Sequence, residues 1–77
     1  MGIGNRIKRL RKAAGLGLEK ASWKLEVGMS HLQRLEAGSD PRASTLRRLA
    51  EGYARLLNQD PREVLVYLVF GEEVRDE

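Results

Sequence analysis

The sequence predicts an all-α fold of five short helices, and three observations predict it. Apolar residues recur at three- and four-residue spacing along most of the chain, which is what the core-facing stripe of a helix requires. Punctuating residues fall between those stripes: Gly15, Gly17, Gly38, and the pairs Asp40-Pro41 and Asp60-Pro61, each suited to ending one helix or starting the next. No strict alternation of apolar and polar residues competes, although Val64–Phe70 fits a strand on composition alone.

The elements follow in order. Ile3, Ile7, Leu10 and Ala14 fall at i, i+4, i+7 and i+11, one stripe that ends at Gly15. The other faces of this first helix carry Arg6, Lys8, Arg9 and Lys12. Leu18, Ala21, Ser22 and Leu25 predict a short second helix after Gly17, and Met29, Leu32 and Leu35 a third, stopped by Gly38. Asp40 is placed to cap a fourth helix with Pro41 at its first position. Its stripe is Leu46, Leu49, Ala50, Tyr53 and Leu57, ending near Asn58. Asp60, Pro61 and Glu63 resemble a capping box opening a fifth helix that fades near Gly71. Val64, Leu65, Leu68 and Val69 are expected to face inward on it. Val66, Tyr67 and Phe70 then remain for a second subunit to cover, or else they complete the core of the monomer. Residues 1–70 read as one domain, and residues 71–77, ending in the acidic "EEVRDE", as a frayed tail.

Bulk properties narrow the class. A chain of 77 residues allows one small domain whose modest core would benefit from dimerisation. There is no cysteine, so disulfides, thiol nucleophiles and zinc knuckles are excluded, and a reducing cytoplasm is the natural setting. The longest apolar run, Val64–Phe70, has seven residues, against the roughly 20 that a membrane span needs, and nothing at the amino terminus reads as a signal peptide. Charge is lopsided. Residues 1–48 hold eleven Lys/Arg against four Asp/Glu, a net +7, while residues 49–77 hold three against seven, a net −4. A basic front half points to a polyanionic partner on one side of the molecule.

Helices two and three are separated only by "EVG", Glu26–Gly28. Two short helices joined so tightly must cross steeply, as in a helix-turn-helix. Here the chain resembles the XRE-type regulators, which include the phage Cro and lambda-type repressors. The resemblance runs from Asn5 to Leu65. Its most specific pieces are "RIKRLRKAAGL" in the first helix, "LQRLEAG" closing the third, the Pro-x-x-x-Thr-Leu-x-x-Leu-Ala pattern from Pro41, and "DPREVL".

The resemblance implies a compact five-helix, lambda-repressor-like domain with helix three, about residues 28–37, in the major groove of duplex DNA. It assigns base reading to Met29, Ser30, Gln33 and Arg34. Their chemistry differs: Gln33 can pair with adenine, Arg34 with guanine or a phosphate, and Met29 can touch only a thymine methyl. It assigns phosphate contact to the amino ends at Gly17, Leu18 and Gly28, and to Arg42. Arg6, Lys8, Arg9, Lys20, Lys24, Arg47 and Arg48 are further basic candidates. Arg11 and Glu36 flank the buried faces of helices one and three, and a half-buried carboxylate needs such a partner. In the family these positions form a salt bridge, which implies a structural role for this pair.

Four residues depart from the family's pattern. Glu26 stands in place of a turn glycine, Gly28 in place of a Ser/Thr cap, Leu18 in place of a polar phosphate contact, and Met29 in place of a hydrogen-bonding reader. His31 and Trp23 are read as packing or partner-contact residues, because a duplex offers no splayed base for Trp23 to stack on.

The expected function is a sequence-specific, dimeric regulator of transcription, most naturally a repressor, in the cytoplasm and associated with the nucleoid. The competing expectation is a protein-interaction module, antitoxin-like or adaptor, that keeps the fold with weak or lost DNA binding. No enzyme is expected. Ser30 and His31 are neighbours on a helix and point about 100° apart, so they cannot form a relay. No cofactor, metal, membrane or small-molecule substrate is expected either.

Overall fold

The computed structural model of the chain describes residues 2–71. Five helices follow one another: α1 (Ile3–Ala13), α2 (Leu18–Leu25), α3 (Met29–Glu36), α4 (Ala43–Leu57) and α5 (Pro61–Phe70). All five contribute to one hydrophobic cluster, centred on Ile7, Leu32, Leu35, Leu49, Tyr53 and Leu68, each no more than 1% exposed. Helix α4 is the long spine against which α5 packs, while α1 lies across the carboxy end of α3.

That crossing depends on an absent side chain. A β-carbon on Gly4 would stand 2.7 Å from the carbonyl oxygens of both Leu35 and Glu36. Only glycine therefore lets α1 come this close to α3. A similar approach occurs at Gly52 inside α4, where a β-carbon would run into the side chain of Leu25. Both are buried helical glycines, positions that cost helix stability and that the apolar stripes do not reveal.

The punctuation differs from expectation at one helix start. Arg42, not Asp40, is the N-cap of α4, extended at φ −69° and ψ 159°, and no side chain caps it. The first helical bond runs from the Leu46 N–H to the Arg42 carbonyl at 2.8 Å. Pro41 therefore precedes the helix, as the extended stretch before Ala43 requires. Helix α5 starts as Asp60-Pro61 suggests: the Asp60 carboxylate accepts from the Arg62 N–H at 2.8 Å with Pro61 in the first turn.

Val64–Phe70 is helical, so the strand suggested by its composition does not form. The inward face of α5 also differs. Val64 and Leu68 are buried and Tyr67 packs half-buried against the core, whereas Leu65 and Val69 are 37% and 44% exposed. At about 100° per residue, Tyr67 and Leu65 lie about equally far to either side of a face centred on Val64 and Leu68, and packing against the core takes in Tyr67 and leaves Leu65 and Val69 exposed. Tyr67 thus packs against the monomer core, and the outward apolar surface is Leu65, Val69 and Phe70, with Val66 between the last two and half-buried. Of the expected tail, residues 72–77 lie outside the described residues.

Tyr53 is wholly buried, and its hydroxyl meets no hydrogen-bond partner among the described residues. Burial pushes its pKa well above the ordinary phenolic value, the nearby Glu36 carboxylate adds to the rise, and Arg11 opposes it. Removing an orphaned hydroxyl while keeping the ring should be nearly neutral near pH 7, within about 0.5 kcal/mol of wild type or slightly stabilising. Because the folded-state pKa lies above the unfolded value of 10.0, the wild type binds more protons folded than unfolded above that pH. Its stability must fall as pH rises there. Thermal melts at pH 7 and above about pH 10 should show Tyr53→Phe matching the wild type in the first condition and outlasting it in the second. Equal losses in both proteins would contradict this account.

Candidate nucleic-acid interface

Helix α3 has a buried side and an open one. Leu32 and Leu35 are buried, whereas Ser30, Gln33 and Arg34 are exposed. These three fall within about 100° of arc on the outward side. Met29 opens the helix at 45% exposure. All four sequence-assigned readers are therefore accessible on α3.

The turn that aims this helix is held at its bend. Glu26 adopts the left-handed conformation, φ 56° and ψ 41°, and so terminates α2. A side chain there costs on the order of 1 kcal/mol relative to glycine. Its carbonyl accepts a hydrogen bond from Arg48 Nη1 of α4 at 2.8 Å. That bond offsets part of the strain and fastens the turn to the spine. The sequence gives no hint of this role for Arg48, because it joins a carbonyl to a side chain 22 residues away. Val27 follows, 6% exposed, and pins the turn from beneath.

The other end of α3 is held by an ion pair. Arg11 Nε and Nη2 donate to the two carboxylate oxygens of Glu36 at 2.8 and 3.0 Å, while Nη1 donates to the Leu16 carbonyl at 3.0 Å. One guanidinium thus joins α1, the loop before α2 and the end of α3. The side chains are only 11% and 8% exposed, and hydrogen bonding to Glu36 raises the Arg11 pKa further above its ordinary value. Bidentate geometry of this kind fixes orientation as well as energy.

Helices α2, α3 and α4 begin at Gly17, Gly28 and Arg42, and none has a side-chain cap. Their first N–H groups are free to meet a ligand's oxygen atoms, and the helix dipoles favour negative charge there. Gly17, Gly28 and Arg42 are exposed. Leu18, by contrast, is half-buried and packs against the core, so only its backbone is available.

The basic candidates divide by what already holds them. Lys8, Arg9, Lys20, Lys24 and Arg34 are exposed. Arg47 makes a loose 3.9 Å pair with Glu51 one turn along α4. Arg6 is turned toward the far end of the chain, where Nε donates to the Leu68 carbonyl at 3.0 Å and Nη2 reaches the Val69 carbonyl at 3.5 Å. It serves as the carboxy-terminal cap of α5, a favourable place for a cation. His31 is half-buried in a groove shared with Gly28, Ser44, Thr45 and Arg48. Trp23 projects from α2 at 85% exposure and packs against nothing in the core.

Among the described residues, no group of three or more His, Cys, Asp or Glu is arranged to hold a metal ion. No helix among them is long and apolar enough to cross a membrane. A family profile described as "helix-turn-helix domain" matches residues 3–65. No curated protein and no solved structure matches the chain significantly.

Proposed function

The chain belongs to the helix-turn-helix domain family, and from that premise we propose that it is a dimeric, sequence-specific transcriptional repressor of the XRE type, cytoplasmic and nucleoid-associated. The observation that carries the reading is the open face of α3: Ser30, Gln33 and Arg34 exposed together on a helix braced at both ends. Such a helix fits the major groove, where Gln33 suits adenine and Arg34 suits guanine or a phosphate. The uncapped starts of α2, α3 and α4, with Arg42 beside the last, supply the phosphate contacts that set register.

The dimeric part rests on α5. Its outward surface of Leu65, Val69 and Phe70, the last 74% exposed, is apolar where a helix at the surface of a monomer would be polar. A two-fold pairing of these faces covers them and sets two copies of α3 about 34 Å apart on a near-palindrome. Light scattering should give a mass that doubles with concentration in the wild type and stays monomeric in Phe70→Glu.

Titration of duplex DNA tests the main claim. Affinity should fall steeply between about 50 and 200 mM salt, as release of counterions by several Lys/Arg contacts demands. Absence of duplex binding at about 50 mM salt would falsify it. On a site obtained by selection, Gln33→Ala and Arg34→Ala should each lose about 1–3 kcal/mol of binding and relax the preference at one position. A second reading is favoured by Trp23 and Phe70, both exposed. On that reading the domain docks a partner protein through these side chains, and the same titration would then show weak, unselective DNA binding.

A further inference from the structure

Met29 lies outside the hydrophobic core of the monomer. It stands at the first position of α3, 45% exposed, and is absent both from the core and from the side chains packed against it. An exposed thioether at the leading edge of a helix otherwise lined by Ser30, Gln33 and Arg34 is apolar where its neighbours are polar. Gln33 lies one turn further along, about 40° around the helix axis, so Met29 and Gln33 form one outward stripe and reach neighbouring positions of whatever surface α3 meets.

A methionine side chain donates no hydrogen bond and is a weak acceptor. It therefore has nothing to read in the donor and acceptor pattern of base edges. The major groove does display one apolar feature, the substituent at C5 of a pyrimidine: a methyl group in thymine, a hydrogen in cytosine. Unbranched and soft, methionine adapts its shape to such a group without demanding one rotamer.

On the DNA-binding reading above, we infer that Met29 is a sensor of the pyrimidine 5-methyl group, and that it responds to 5-methylcytosine as it does to thymine. The two bases carry the same methyl at the same place, although their hydrogen-bonding edges differ. Met29 touches only what they share. A site with cytosine at the position facing Met29 is thus bound more tightly after cytosine methylation, so the protein's occupancy responds to a covalent mark on DNA. The gain is the transfer of one methyl group out of water, about fourfold in affinity.

The test uses fluorescence anisotropy on a selected duplex and single-position variants of it. Each thymine is replaced in turn by deoxyuridine, which removes the methyl and leaves the pairing edge unchanged. At the position that responds, C·G and 5-methylcytosine·G pairs are then compared. The expected result is one position per half-site where loss of the methyl weakens binding about fourfold, with 5-methylcytosine stronger than cytosine there by a similar factor. Met29→Ser should erase both differences, and Met29→Leu should keep them. Circular dichroism on both variants guards against a folding defect. Uniform affinity across the deoxyuridine series would overturn the inference while leaving DNA binding intact, as would a methyl effect that survives in Met29→Ser. Failure of every duplex to bind is a different outcome, and it removes the reading on which the inference rests.

Discussion

Glu36→Ala is expected to destabilise the domain by about 3–5 kcal/mol, the largest effect of any single substitution proposed for this chain. The carboxylate takes two hydrogen bonds from Arg11, and both side chains are about nine-tenths buried. Truncation leaves a largely buried guanidinium with one remaining acceptor among the described residues, the Leu16 carbonyl. Total stability for a domain of this size is only about 5–10 kcal/mol, so the variant should be partly unfolded near 37 °C. Glu36→Gln keeps the shape and one acceptor oxygen and should lose less. Urea denaturation followed by circular dichroism measures both. A Glu36→Ala midpoint within experimental error of wild type would mean that the pair is solvated in solution and braces nothing. Replacing both partners with apolar residues of similar size should recover much of the loss, since desolvating an ion pair offsets most of its attraction. The pair's value therefore lies in fixing the angle of α3.

The second large effect is expected at Gly4. Gly4→Val should cost about 3 kcal/mol, because its side chain would drive into two backbone carbonyls that cannot rotate aside. Gly4→Ala should cost less, since alanine returns up to about 1 kcal/mol of helix propensity. The same two substitutions at Gly52 meet a flexible leucine end instead of backbone, so the alanine variant there should be milder than at Gly4. Thermal melts of the four variants check the order. An alanine at Gly4 that raises the melting temperature would show that α1 can shift away from α3 at no cost.

How far the sequence foretold these features depended on how local their causes are. The helices were legible because each stripe repeats within a few residues. Helix α3 was legible in the spacing of Met29, Leu32 and Leu35, although Met29 stands exposed, and the residues on its open face were assigned by the family resemblance. The fourth helix start was misplaced because Asp40-Pro41 is a sound local signal that the extended Arg42 overrides. The inward face of α5 was misjudged because seven consecutive apolar residues, Val64–Phe70, have no polar side from which to take a bearing. Only packing against α4 and α1 selects Val64, Tyr67 and Leu68. Contacts between distant segments left the least trace. A basic residue in the first helix reads as a phosphate candidate whether it faces solvent, like Lys8, or caps another helix, like Arg6. The orphaned hydroxyl of Tyr53 was invisible for a similar reason, as a tyrosine on an apolar stripe gives no sign of what its far end will meet.

The bond from Arg6 to Leu68 spans 62 residues, and Ile7 beside it shares one apolar cluster with Leu68 and Val64. During synthesis the first helix emerges early and must wait for the last before its inner face is covered and its guanidinium finds the carbonyl that α5 supplies. Until then Arg11 and Glu36 can meet only within an incomplete shell. The contacts of α5 with α1 and α4 form only after nearly the whole domain has left the ribosome. A chain halted short of Pro61 should accordingly be a substrate for proteases and chaperones.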